Sequence, residues 1–248
     1  MNKRHIVTQP LVAATLLIAQ VARVGHSSAW PSLGNQDPSG TFGNPSSPAL
    51  RIVVVGDSSV TAPGVQPLDD CWVRLTAQQF ARDYYVTLIS HGVGGAKIAD
   101  MLNEQLSPAL ADNPDILLVS IGGNDALRGT PLGRFEEDYE RLAITTAGIP
   151  TGVGGIGDFG SIPRLPTFAR SIASVRSAST NRAITRIVVK HPHLVKANAR
   201  DPRYKAFFTD PYRYFAADHF HLAAEGHRLI AQAWEEIVPT LVAMHKTT

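Results

Sequence analysis

The chain has one cysteine, few aromatic residues (7%) and no cluster of charge of either sign. A single cysteine excludes any intrachain disulfide, so 248 residues must be held together by packing. That residue, Cys71, lies in DDCWVRLTAQQF, where Trp72, Leu75 and Phe80 recur at helical spacing. It reads as a buried helix thiol rather than a nucleophile. Lys and Arg number 23 against 21 Asp and Glu, a net charge of +2 with no basic run. This balance excludes the clustered cationic face that nucleic-acid binding requires. Long apolar runs are missing too. Residues 11–19 are apolar but for Thr15, a stretch well short of the roughly 20 residues that span a bilayer. An apolar share of 44% and a charged share of 18% nevertheless describe a folded chain, with enough length for one sizeable core.

Lys3, Arg4 and His5 precede apolar residues 6–22, which Gln9, Pro10 and Gln20 interrupt. Ser27, Ser28 and Ala29 offer small residues for cleavage, while Arg23 and His26 argue against a clean site. Residues 1–26 therefore read as a signal peptide or as a membrane-associated helix over 6–22. Either reading expects an exported or cell-envelope protein. Residues 27–49 repeat Pro, Gly, Ser and Asn and read as a flexible linker before a folded domain over 50–248.

Within that domain, short branched runs alternate with helical patterns. RIVVVG (51–56), YVTLIS (85–90) and DILLVSIGGND (115–125) read as buried strands. A weaker strand is expected within 148–166 and another at 192–197. Helices are expected over 69–83, 96–106 (stopped by Pro108), 134–143 (solvated) and 222–244, and the pattern of 168–190 suits helix or strand. Strand–helix alternation implies a parallel sheet covered on both faces, a three-layer α/β/α fold. Ligands in such sheets bind beyond the carboxyl ends of the strands.

Chemistry-bearing residues stand at those ends. Ser58 follows the first strand, the glycines of SHGVGGAK follow the second, and Asn124 follows the third. Asp218 and His221, in DHFH, precede the last helix. Each has a plain reading as a cap or a turn. Together they supply every role of acyl transfer. Ser58 is the candidate nucleophile, His221 its base, and Asp218 the carboxylate that orients His221. The Ser58 and Gly95 backbone N–H groups and the Asn124 amide are candidate oxyanion donors.

These blocks resemble the SGNH hydrolases, the GDSL esterase/lipase family. Gly56-Asp57-Ser58 matches its first block, Gly95 is the most suitable glycine for the second, Gly122-Gly123-Asn124-Asp125 matches the third, and Asp218-His219-Phe220-His221 the last, over residues 51 to about 245. The resemblance implies a flavodoxin-like sheet, a helix at 168–190, and a serine esterase with no metal and no organic cofactor. The expected partner is a small-molecule, lipid or glycan ester, and the expected state a monomer. An O-acyltransferase using the same site and a non-catalytic envelope binding protein are the alternatives. Two departures stand out. Ser59 occupies a position where the family often has Leu, a departure expected to be tolerated because the position packs rather than reacts. Ser90 stands where Asn is common. His191 and His193 in KHPH form a further reading, as metal ligands with DHFH. Phe159, Ile162, Leu165 and Phe168 suit either an acyl-side wall or the packing of a surface loop.

Overall fold

The computed structural model describes residues 30–247, so the segment 1–26 lies outside the described residues. Six strands form one sheet: β1 (Gly40–Phe42), β2 (Ala49–Gly56), β3 (Tyr85–Ser90), β4 (Ile116–Ser120), β5 (Thr151–Gly154) and β6 (Leu194–Ala197). Their order is β1-β3-β2-β4-β5-β6, and every pairing is parallel except that of β1 with β3. Without the added edge strand, this is the flavodoxin-like order.

Branched strands explain the layering. Ile52 and Val54 of β2, with Ile116 and Leu118 of β4, enter one core; Val53, Val55, Leu117 and Val119 enter the other. Alternate residues point to opposite faces of a strand, so a continuous apolar run must be covered twice. On the first face lie α2 (Trp72–Phe80), α10 (Ala224–Glu235) and α11 (Val238–His245). On the second lie α3 (Ile98–Asp100) with its continuation α4 (Leu106–Ala111), α6 (Leu132–Thr145) and α7 (Thr167–Lys190). Complete burial of such aliphatic side chains stabilises by about 1.5–3 kcal/mol each. Four short helices lie near the strand ends: α1 (Ser58–Thr61), α5 (Gly123–Arg128), and the pair α8 (Ala206–Thr209) and α9 (Pro211–Tyr214).

The expected layers are present, with four local differences. Part of the stretch read as a linker is β1, whose short backbone pairing with β3 carries no hydrophobic pattern to announce it. Pro108 does not stop its helix. A π-helical stretch, Met101–Gln105, intervenes between α3 and α4, placing Pro108 in the first turn of α4, where a missing N–H costs little. The helix read as solvated, α6, buries Phe135, Tyr139 and Leu142 on one face. The terminal helix breaks at Glu236–Ile237, because Pro239 has no N–H for the carbonyl one turn earlier. Residues 168–190, ambiguous by pattern, are one helix within α7.

Candidate active site

The strand order reverses between β2 and β4, leaving a crevice beyond their carboxyl ends. Ser58 opens α1 directly after β2, and Asn124 lies in the first turn of α5 after β4. Asp218 and His221 occupy the turn before α10, and Ser58, Asn124 and His221 line one pocket.

The Ser58 turn is held from several sides. A Cβ on Gly56 would collide with the Ser120 carbonyl oxygen of β4, so only glycine lets the strand end approach its neighbour. Buried Gln105, in the π-helical turn, grips that glycine: its Oε1 accepts from Gly56 N–H (2.8 Å) and its Nε2 donates to Gly56 C=O (3.0 Å). Asp57 caps α1 by accepting from Ser59 N–H at 2.9 Å. Ser59 packs in the turn, and it does so through polar contacts. Its Oγ bonds Ser120 Oγ at 2.7 Å, and its carbonyl accepts from Trp72 Nε1 at 2.7 Å. A leucine could supply neither hydroxyl contact nor the same packing against Ser120.

Asp218 and His221 meet across a tight turn rather than along a helix. His219 takes a left-handed conformation (φ 56°), and Ala216 N–H donates to His221 C=O at 2.7 Å. The turn brings Asp218 Oδ2 to 2.6 Å from His221 Nδ1. Asp218 Oδ1 accepts from the backbone N–H groups of Phe220 and His221, each at 3.0 Å. Burial alone would raise the Asp218 carboxyl; the hydrogen bonds and charge of His221, with Phe220 N–H, outweigh it and hold Asp218 below its ordinary range. The carboxylate is thus ionised, buried and committed to one imidazole, whose other nitrogen is left for the pocket.

Asn124 Nδ2 donates to Ala96 C=O (3.1 Å) and, at 3.4 Å, to Asp57 Oδ2. Gly95 lies in the loop after β3 with φ +82°, one residue from that Ala96 carbonyl, but it is not among the pocket-lining residues. Asp125 ties this loop down, its Oδ2 accepting from Ile98 N–H at 2.9 Å. Burial pushes the Asp57 and Asp125 carboxyls above their ordinary range.

Sequence and structure comparisons address the same blocks. The family model for GDSL-like lipase/acylhydrolases matches residues 54–229, from within β2 to within α10. The chain belongs to the GDSL-like lipase/acylhydrolase family. No curated protein matches it. Among solved structures, a lipase/acylhydrolase from Enterococcus faecalis is 21% identical, with a TM-score of 0.60, covering 76% of this chain and 95% of its own. Esterase EstA from Pseudoalteromonas sp., described as inhibited by monoethylphosphonate, is 19% identical (TM-score 0.59; 78% and 98% covered). An acetylxylan esterase from Geobacillus stearothermophilus is 15% identical (TM-score 0.59; 77% and 94% covered). These likenesses extend over the fold; family membership makes the chain a carboxylic ester hydrolase.

The pocket of this GDSL-family hydrolase has a volume of about 190 Å³ and mostly apolar walls. Phe159 and Ile162 line it, whereas Leu165 packs behind Ile162 and Phe168 is half exposed. Walls not read from sequence include Leu127 from α5 and Phe207, Phe215 and Trp234 from the last quarter of the chain. Asp158 caps Phe159–Ser161 and also lines the pocket. His191 bonds Glu140 (2.7 Å) and His193 bonds Thr146 (3.2 Å), before β6 and so at the opposite end of the strands from DHFH. The metal-ligand reading of KHPH with DHFH fails on that placement. Cys71 is buried before α2, and burial raises its thiol above the ordinary range.

His227 also lines the pocket, fully buried, its Nδ1 accepting from Trp72 N–H at 3.3 Å. Burial, with a smaller contribution from the charge of His221, lowers its pKa to about 3. Because the unfolded chain takes up this proton near pH 6.5, the unfolded state binds more protons between about pH 6.5 and 3. Stability present above pH 6.5 is therefore lost as pH falls, by up to ~1.4 kcal/mol per unit from this residue. Denaturant titrations of the wild type and His227→Asn should show a shallower acid limb in the variant; parallel limbs would remove His227 as the cause.

Proposed function

We propose that this hydrolase cleaves carboxylic esters of aliphatic acids through an acyl-enzyme on Ser58. The observation that carries the reading is the 2.6 Å Asp218–His221 pair opening onto the pocket that Ser58 and Asn124 line. Ser58 Oγ attacks the ester carbonyl carbon as His221 Nε2 takes its proton. Asp218 holds the tautomer that leaves Nε2 free and stabilises the resulting imidazolium. The carbonyl oxygen, now an anion, is met by the Ser58 N–H at the start of α1, by the Asn124 amide released from Asp57, and by Gly95 N–H if its loop closes on substrate. Collapse expels the alkoxide, which takes the proton from His221 and leaves as the alcohol. Water, deprotonated by His221, then attacks the acyl-enzyme, and the acid departs with Ser58 restored.

The inhibition of the Pseudoalteromonas esterase by a phosphonate supports the choice of a phosphonate probe for this chain. A fluorophosphonate should label the wild type once, at Ser58, and a panel of p-nitrophenyl esters should be turned over. Absence of both would end the serine-esterase reading.

Apolar walls support a reading in which the acyl chain, rather than a polar alcohol, occupies the pocket. Phe207, Ile230 and Trp234 also wall a neighbouring cavity of about 320 Å³, where Arg200 and Lys205 sit. Trimming Phe207 should join the two spaces. Phe207→Ala should raise the ratio of kcat/KM for long over short acyl esters by about tenfold, the scale of a few methylene contacts. An unchanged ratio would place the acyl chain elsewhere.

A further inference from the structure

The family match begins at residue 54, yet the residues just before it are built into the site. Residues 30–39, within the stretch that reads as a linker, run across the strand ends and touch three catalytic loops. The first is the Ser58 turn. α1 has only four residues, so its last carbonyls find no donors within so short a helix. Gln36 supplies donors around that end: its backbone N–H to Thr61 C=O at 2.8 Å, and its side-chain amide to Ala62 C=O at 2.6 Å and Val65 C=O at 3.0 Å. Buried Thr61 in turn donates its hydroxyl to Asn35 Oδ1 at 2.8 Å.

The second is the loop after β3. The Asn35 amide packs against Gly94, next to Gly95, so closely that a Cβ on Gly94 would collide with it. At the start of that loop, Ser39 Oγ accepts from Ser90 N–H at 3.0 Å. The third is the Asp218–His221 turn. Trp30 lies against the ring of His219, within that turn, at 4.7 Å between centroids, and Tyr212 contacts the same ring at 5.1 Å. The His219 carbonyl accepts from Arg164 N–H at 2.9 Å, which fixes the same turn from below.

We propose that residues 30–39 are a positioning strap of the active site, with Asn35 and Gln36 setting the Ser58 turn against the Gly95 loop and Trp30 seating the Asp218–His221 turn. The strap touches no reacting atom. It acts by removing freedom from loops whose relative placement sets the rate, a placement for which an ångström is worth orders of magnitude. The inference rests on the proposed esterase chemistry for its kinetic reading, but not for its structural one.

The full-length chain tests it. In Asn35→Ala/Gln36→Ala, kcat per phosphonate-titrated site should fall about tenfold with KM nearly unchanged, and amide exchange should rise in 59–65 and 91–97. Asn35→Asp keeps the acceptor for Thr61 and should stay near wild type. Trp30→Ala should raise exchange in 216–222, and Trp30→Phe should restore it. Wild-type kcat with unaltered exchange in the double variant would overturn the strap. So would a lower melting temperature with unchanged kcat per titrated site, since that marks a stabilising role alone. If the wild type neither labels nor hydrolyses esters, the function proposal fails and exchange alone decides: faster exchange in these loops supports the strap, and unaltered exchange overturns it.

Discussion

Ser58→Ala is expected to remove ester hydrolysis, with kcat falling on the order of 10⁶-fold, because the proposed acyl-enzyme forms on its hydroxyl. Stability should hold. The Ser58 side chain is only partly buried, and α1 is capped by Asp57, whose bond to Ser59 N–H is untouched. Loss of the Ser58 hydroxyl should therefore change unfolding free energy by about 0.5 kcal/mol or less. The decisive measurement pairs turnover of p-nitrophenyl esters with fluorophosphonate labelling and thermal unfolding. A folded variant that still hydrolyses esters would assign the chemistry to another residue. A wild type that does not label would favour a non-catalytic member of the fold.

Asp218→Asn should lower kcat by roughly 10³–10⁴-fold while leaving KM close to that of the wild type. The carboxylate accepts three hydrogen bonds, from His221 Nδ1 and from the Phe220 and His221 amides. An amide can still accept the backbone bonds through its oxygen. Its NH₂ then faces His221 Nδ1 as a donor, which selects the tautomer with its proton on Nε2, the nitrogen that must take the proton from Ser58. The imidazolium also loses the buried negative charge beside it. Steady-state kinetics with a full pH profile separate this from misfolding. A loss of less than about tenfold would show that Asp218 positions the turn without supporting the base.

Motif blocks and the alternation of strand and helix were legible because they are local. A run such as Ile52–Val53–Val54–Val55 needs two faces of cover whatever surrounds it, and Gly56-Asp57-Ser58 turns sharply because Gly56 alone fits beside Ser120. The turn holding Asp218 against His221 needs only four residues, so it too was readable. Placement across the chain was not. Which partners Ser59 packs against was set by β4, which brings Ser120 within 2.7 Å, and by α2, which brings Trp72 Nε1 to its carbonyl. Polar residues at 30–39 resembled a linker because hydrogen bonds to distant backbone carbonyls leave no periodicity in composition. The helix through Pro108 depended on a π-helical turn, and the metal-ligand reading of KHPH failed once the strands set it at the far end.

By itself the sequence determined the layered α/β architecture and the residue types for acyl transfer, since burial patterns and short turns are written in neighbouring residues. Only the tertiary structure decided which walls shape the pocket, which residues steady the Ser58 turn, and which histidines stand apart. Those depend on contacts between segments some 26 to 155 residues apart, such as Asn35 with Thr61 and Trp72 with His227, and chain folding alone brings such segments together.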